Sequence, residues 1–135
     1  MKNICIAGSN GLIGQALSQQ FEKEGHQVRW LVRRFYPKIK YSQFLWDPGK
    51  GEVDILAFKN ADVLINLAGS SLAGGLWTSN RKNEIVQSRL LSISTLVDVL
   101  VRNQIRIPHI VQASAIGYYG DSGSDIVMEN SPSTS

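Results

Sequence analysis

Gly8, Gly11 and Gly14 stand three residues apart in the run Gly8-Ser9-Asn10-Gly11-Leu12-Ile13-Gly14, directly after the apolar segment Lys2 to Ala7. A glycine where a strand ends permits a turn that other residues resist. A second lets the backbone approach a pyrophosphate, and a third lets the next helix pack closely on its sheet. The first turn of such a helix has unpaired N–H groups and a partial positive charge, which suit an anion. Gly8, Ser9, Asn10, Gly11, Leu12, Ile13 and Gly14 are therefore the candidate phosphate-binding loop. The plainer reading of the same residues is a turn that only joins a strand to a helix.

Arg33 and Arg34 close a second apolar run, Gln27 to Val32. In dinucleotide-binding folds an acid near this place holds the ribose 2′-hydroxyl of NAD, whereas a 2′-phosphate requires positive charge. Residues 29–40 contain Arg29, Arg33, Arg34, Lys38 and Lys40 and no acid. A guanidinium fork fits a phosphate well, so the expected cofactor is NADP (NADPH) rather than NAD. A solvated basic edge or a nucleic-acid patch is the competing reading. The latter predicts steeply salt-dependent binding to oligonucleotides and leaves the glycine run unexplained. Ala113 and Ser114 end the last apolar run, at the carboxyl end of a strand, where open α/β sheets bind ligands.

These groups need strands that end together at one edge. Strands are expected over Lys2 to Ala7, Gln27 to Val32, Asp62 to Leu67 and Ile107 to Ala113. One helix begins at Leu12, with apolar positions 12, 13, 16, 17 and 21, and stops at Gly25. A longer one runs from Thr78 or Ser79 to about Asn103, with an apolar stripe at 86, 90, 93, 97 and 100 and with Arg81, Lys82, Glu84 and Arg89 off it. The stretch from Phe35 to Asn60 reads as irregular, with a short strand near Tyr41 to Trp46 and a helical turn around Val53 to Phe58. Strands alternating with helices predict an α/β, Rossmann-like, doubly wound parallel sheet.

The chain has 135 residues, with 14 Lys and Arg against 11 Asp and Glu, which is one domain's worth of sequence over 1–135 with a charge too small to require a polyanion. Its one cysteine, Cys5, lies in an apolar run and reads as a core residue rather than a nucleophile; no Cys/His cluster offers a metal site. No apolar stretch approaches the roughly 20 residues that span a bilayer, and glycine comes too early for a secretory signal. The expectation is a cytoplasmic protein with no metal, no membrane and no nucleic acid.

The spacing G-x-x-G-x-x-G resembles that of the extended and atypical short-chain dehydrogenase/reductase superfamily. With Trp46-Asp47-Pro48, Asn66-Leu67-Ala68-Gly69, Trp77-Thr78, Arg81-Lys82, Ser88-Arg89, Ser114-Ala115-Ile116-Gly117-Tyr118-Tyr119-Gly120 and Glu129, the chain resembles its NAD-dependent epimerase-like branch, of the SDR39U1 and YfcH type. Leu67, Ala68, Gly69 and Ala113 are thereby implied near the cofactor, with Asn66 tying strands together. Ser70 stands where that family's pattern suggests an acid.

The resemblance also implies that Ser114 hydrogen-bonds a reacting carbonyl or hydroxyl and that Tyr119 lines the substrate side, a small molecule such as a sugar nucleotide being the implied substrate. A strand-end serine and a packing tyrosine are the plainer alternatives. Superfamily enzymes move protons with a Tyr-x-x-x-Lys pair. The one match, Tyr36 to Lys40, contains Pro37 and follows the second strand, so it is not a helical dyad. The chain is thus expected to be the amino-terminal cofactor-binding portion of a larger fold, breaking off after about four strands and lacking full catalytic machinery. A bare fourth-strand edge would be open to self-association. An NADPH-sensing or scaffold protein without turnover is the second reading.

Overall fold

The computed structural model describes residues 1–68 and 79–113. In chain order the elements are β1 (Asn3–Ala7), α1 (Leu12–Lys23), β2 (Gln27–Val32), β3 (Ser42–Asp47), β4 (Glu52–Val53), a 3₁₀ turn (Ile55–Phe58), β5 (Val63–Asn66), α2 (Ser79–Arg102) and β6 (His109–Gln112). They form one six-stranded sheet in the order β4-β3-β2-β1-β5-β6. All neighbours are parallel except β3 and β4. This is the Rossmann-like arrangement. The short strand expected near Tyr41 to Trp46 is β3, whose Ser42 to Leu45 pair with β2. The turn at Pro48 to Gly51 folds Glu52 and Val53 back on it as a further strand, so the described sheet has six strands where about four were expected.

Side chains that alternate along β1 explain why its sequence is continuously apolar. Ile4 and Ile6 face one layer with Val28, Trp30, Val32 and Ile65, packed by Leu17 and Phe21 of α1. Cys5 and Ala7 face the other with Leu31, Trp46 and Leu64, covered by Leu96, Val99 and Leu100 of α2. Cys5 is fully buried, and burial pushes its thiol up to about 12, with Arg29 opposing in part. Such a thiol is no nucleophile at neutral pH.

Each helix buries only part of the face its apolar spacing indicates, Leu17 and Phe21 in α1 and Leu100 in α2. In α1, Leu12 is 89% and Ile13 65% exposed, and the helix instead buries Gly14 and Ser18. Trp30 Nε1 donates to Ser18 Oγ at 2.9 Å, and that hydroxyl donates to Gly14 O at 2.7 Å, so a polar pair at the helix–sheet seam is satisfied. In α2 the buried side is Ser92, Thr95, Leu96, Val99 and Leu100, while Val86, Leu90, Val97 and Val101 are exposed. Thr95 Oγ1 donates to Pro48 O at 3.2 Å, which turns that flank towards the β3–β4 hairpin. At 3.6 residues per turn, Leu90 and Val97 lie nearly opposite the buried side and point away from the sheet. Ile110 of β6 pairs with Leu64 and so lies on the same face of the sheet, exposed like them.

Candidate functional site

The glycine loop crosses the carboxyl end of β5. Gly8 has φ +76°, and a Cβ there would come within 2.7 Å of Ala68 N and of the Leu67 carbonyl carbon. Only glycine meets both demands. Leu67 and Ala68 are held in turn: Leu67 N donates to Ala7 O at 2.8 Å and Ala68 N to Asn66 Oδ1 at 3.0 Å. Gly14 has a packing reason of its own, since a Cβ there would meet Ser9 backbone atoms at 2.5–2.7 Å.

Gly11 differs. Its backbone, φ −75° and ψ 173°, suits any residue, and a Cβ would touch only Gly8 O at 3.5 Å. Among the described residues nothing crowds a side chain at this exposed position, so close approach by a ligand is a physical reason for glycine beside its preference as an N-cap. Gly11 caps α1 without a side-chain bond, and the first turn has no acid, so its N–H groups keep their capacity for an anion. The Ser9 hydroxyl is buried with no hydrogen-bond partner among the described residues. A loop with a spare hydroxyl, spare amides and an open glycine fits a dinucleotide pyrophosphate.

Arg33 and Arg34 are exposed at the end of β2, at the same edge of the sheet as the loop. Two other cations of the basic stretch, Arg29 and Lys40, are engaged elsewhere. Arg29 donates to Ala57 O at 2.9 Å, and Lys40 pairs with Glu22 at 2.6 Å, which raises its pKa. The Tyr36 hydroxyl meets Asn10 instead of Lys40, so those two do not form a dyad. Tyr36 is a residue that motif reasoning set aside. It joins the loop carrying Arg34 to the glycine loop across 26 positions, a contact with no periodic signature.

At the other side of the site, a buried polar ring fixes the end of β6. Asn66 Nδ2 donates to Gln112 Oε1 at 2.7 Å and to Ser92 Oγ at 3.3 Å. Ala113 N donates to Asn66 O at 3.0 Å, and Gln112 Nε2 to Ala113 O, also at 3.0 Å. Arg89, expected off the buried stripe, is half-buried with Nη1 3.5 Å from Ala113 O. Gly69, Ser114 and Tyr119 lie outside the described residues. A polar cleft of about 250 Å³ lined by Glu22, His26, Arg29 and Lys40 sits at the amino ends of β2 and β3, remote from the loop.

A mostly parallel sheet whose central strand runs through a glycine loop into a covering helix defines a Rossmann-like α/β protein. Over residues 4–135 the sequence matches the NAD dependent epimerase/dehydratase family, and the chain belongs to that family. It is 32% identical over 127 residues to an epimerase family protein of Mycobacterium leprae, covering 94% of this chain and 40% of the relative. A solved nucleoside-diphosphate sugar epimerase from Corynebacterium glutamicum is 32% identical, with a TM-score of 0.70 over 98% of this chain and 26% of its own. The human epimerase family protein SDR39U1, solved with NADPH, shares the fold at 24% identity and a TM-score of 0.67, over 87% of this chain and 38% of its own. The chain thus spans about two-fifths of the length of the curated relatives it matches. No helix among the described residues is long and apolar enough to cross a membrane.

Proposed function

We propose that residues 1–135 are the amino-terminal, NADP(H)-binding Rossmann portion of an enzyme resembling a nucleoside-diphosphate-sugar epimerase or reductase. The observation that carries this is Gly11, a glycine no described residue crowds, at the start of a helix without a side-chain cap and beside a buried Ser9 hydroxyl that has no partner among the described residues. In this reading Gly8 to Gly14 hold the pyrophosphate, and Arg33 and Arg34 hold the 2′-phosphate. Leu67, Ala68, Gly69 and Ala113 line the adenosine and nicotinamide sides. Bound cofactor would supply hydride acceptance from a substrate alcohol. Ser114 would hydrogen-bond the reacting oxygen, and Tyr119 would line the substrate side. Proton transfer is assigned to no described residue, since Tyr36 and Lys40 diverge. The second reading is an NADPH-sensing or scaffold protein without turnover. A cytoplasmic location accompanies both readings, as does self-association through the β6 edge.

The test is calorimetric titration with NADPH and NADH of the wild type and of Arg33→Ala/Arg34→Ala. NADPH is expected to bind the wild type more tightly, with the preference lost in the double variant. Equal affinities in the wild type would remove the assignment. Hydride exchange by the longer protein separates enzyme from sensor.

A further inference from the structure

The loop after β2 is built with more order than two exposed arginines require. Gln43 of β3 clamps Tyr36 on both backbone groups: Tyr36 N donates to Gln43 Oε1 at 2.8 Å, and Gln43 Nε2 donates to Tyr36 O at 2.9 Å. The Tyr36 ring packs against the α1-side core, which leaves its hydroxyl at the glycine loop. There Asn10 Nδ2 donates to the phenol oxygen at 3.0 Å. The Arg34 guanidinium carbon lies 5.5 Å from the centre of the same ring. Tyr36 is thus fixed at its backbone, ring and oxygen, between the two segments assigned to the cofactor's phosphates.

Two chemical consequences follow. A phenol oxygen that accepts from Asn10 still has its own hydrogen to donate. A guanidinium stacked on a ring keeps its in-plane N–H groups available for a phosphate. Resting on the NADP(H) assignment, we propose that Tyr36 is a further specificity-determining residue: its O–H donates to the cofactor's 2′-phosphate while its ring orients Arg34, with Asn10 and Gln43 as positioning residues. A hydrogen bond to a charged phosphate oxygen is stronger than one to the neutral 2′-hydroxyl of NADH. The Tyr36 hydroxyl should therefore count towards selectivity more than towards binding in general.

The test is calorimetry with NADPH, NADH and adenosine 2′-monophosphate on the wild type, Tyr36→Phe and Asn10→Ala, with melting curves of the free proteins to verify folding. Tyr36→Phe keeps the ring and removes the donor. NADPH and adenosine 2′-monophosphate affinities should fall by about tenfold or more while NADH changes by less than about twofold. Asn10→Ala should move the same ligands in the same direction by a smaller factor. If the wild type shows no preference for NADPH, the parent assignment fails. If the wild type prefers NADPH and both variants keep that preference, or lose NADPH and NADH affinity alike, the role of Tyr36 is overturned while the parent assignment stands.

Discussion

Gly8 and Ala68 pass so close that a Cβ on Gly8 would stand 2.7 Å from the Ala68 amide nitrogen. The glycine loop and the end of β5 are therefore packed backbone on backbone, and the three loop glycines have separable reasons. Gly8→Ala forces a side chain onto φ +76° and into backbone, and should cost at least about 2 kcal/mol of stability. Gly11→Ala, which meets no clash among the described residues but puts a poor N-cap in place of a fair one, should cost no more than about 1 kcal/mol. It should weaken NADPH by about tenfold or more, because the added methyl occupies the ligand's side of the turn. Urea unfolding and calorimetry on the two variants check this pair. A Gly11→Ala protein that binds NADPH normally would leave this glycine without its ligand reason.

β1, β2 and β5 were legible because their runs are apolar for a reason visible in sequence, β1 and β5 being covered on both faces, whereas β4, a two-residue strand of Glu52 and Val53, was not. The helical faces were legible only in part. In α2 the residues turned to the sheet include Ser92 and Thr95, whose hydroxyls are satisfied by Arg89 O at 2.9 Å and Pro48 O at 3.2 Å, and hydrophobicity alone discards them. Of the stripe it selects instead, Val86, Leu90 and Val97 face outward and Leu100 is buried. In the site, the glycine and arginine segments were visible as local motifs. The Asn10–Tyr36 bond was not, because it depends on where β2 and its loop lie relative to β1, which local spacing does not encode.

Ser18 and Trp30 give the α1 seam its polar anchor. Ser18→Ala leaves the buried indole N–H without its acceptor, now 2.9 Å away, at a cost of roughly 1–3 kcal/mol. Denaturant unfolding measures it, with Trp fluorescence reporting the same site. Stability equal to wild type would mean that another acceptor replaces the hydroxyl.

Cys5 makes a prediction about alkaline pH. Its folded pKa lies near 12 and its ordinary value is 9.0, so between those limits the native thiol keeps a proton that the unfolded one has lost. The contribution is whole below pH 9 and is lost as pH rises towards 12. Cys5→Ala should show a shallower fall of stability across that window than wild type. In the native wild type a thiol reagent at pH 8 should react only at the rate of unfolding. Prompt labelling would contradict the burial.

The outward flank of α2 and the neighbouring β6 edge place Leu90, Val97 and Ile110 in solvent, at 54%, 54% and 57% exposure. Apolar surface of this kind gains about 25 cal/mol for each Å² removed from water, and the outer side of β6 has no strand partner among the described residues. Two copies meeting on this face would cover both. Sedimentation velocity over a concentration series should show reversible association of the 135-residue chain. Leu90→Lys/Val97→Lys should abolish it without lowering the melting temperature of the monomer by more than a few degrees, since neither side chain contributes to the core. A wild type that stays monomeric at high concentration would remove self-association from the role of this face.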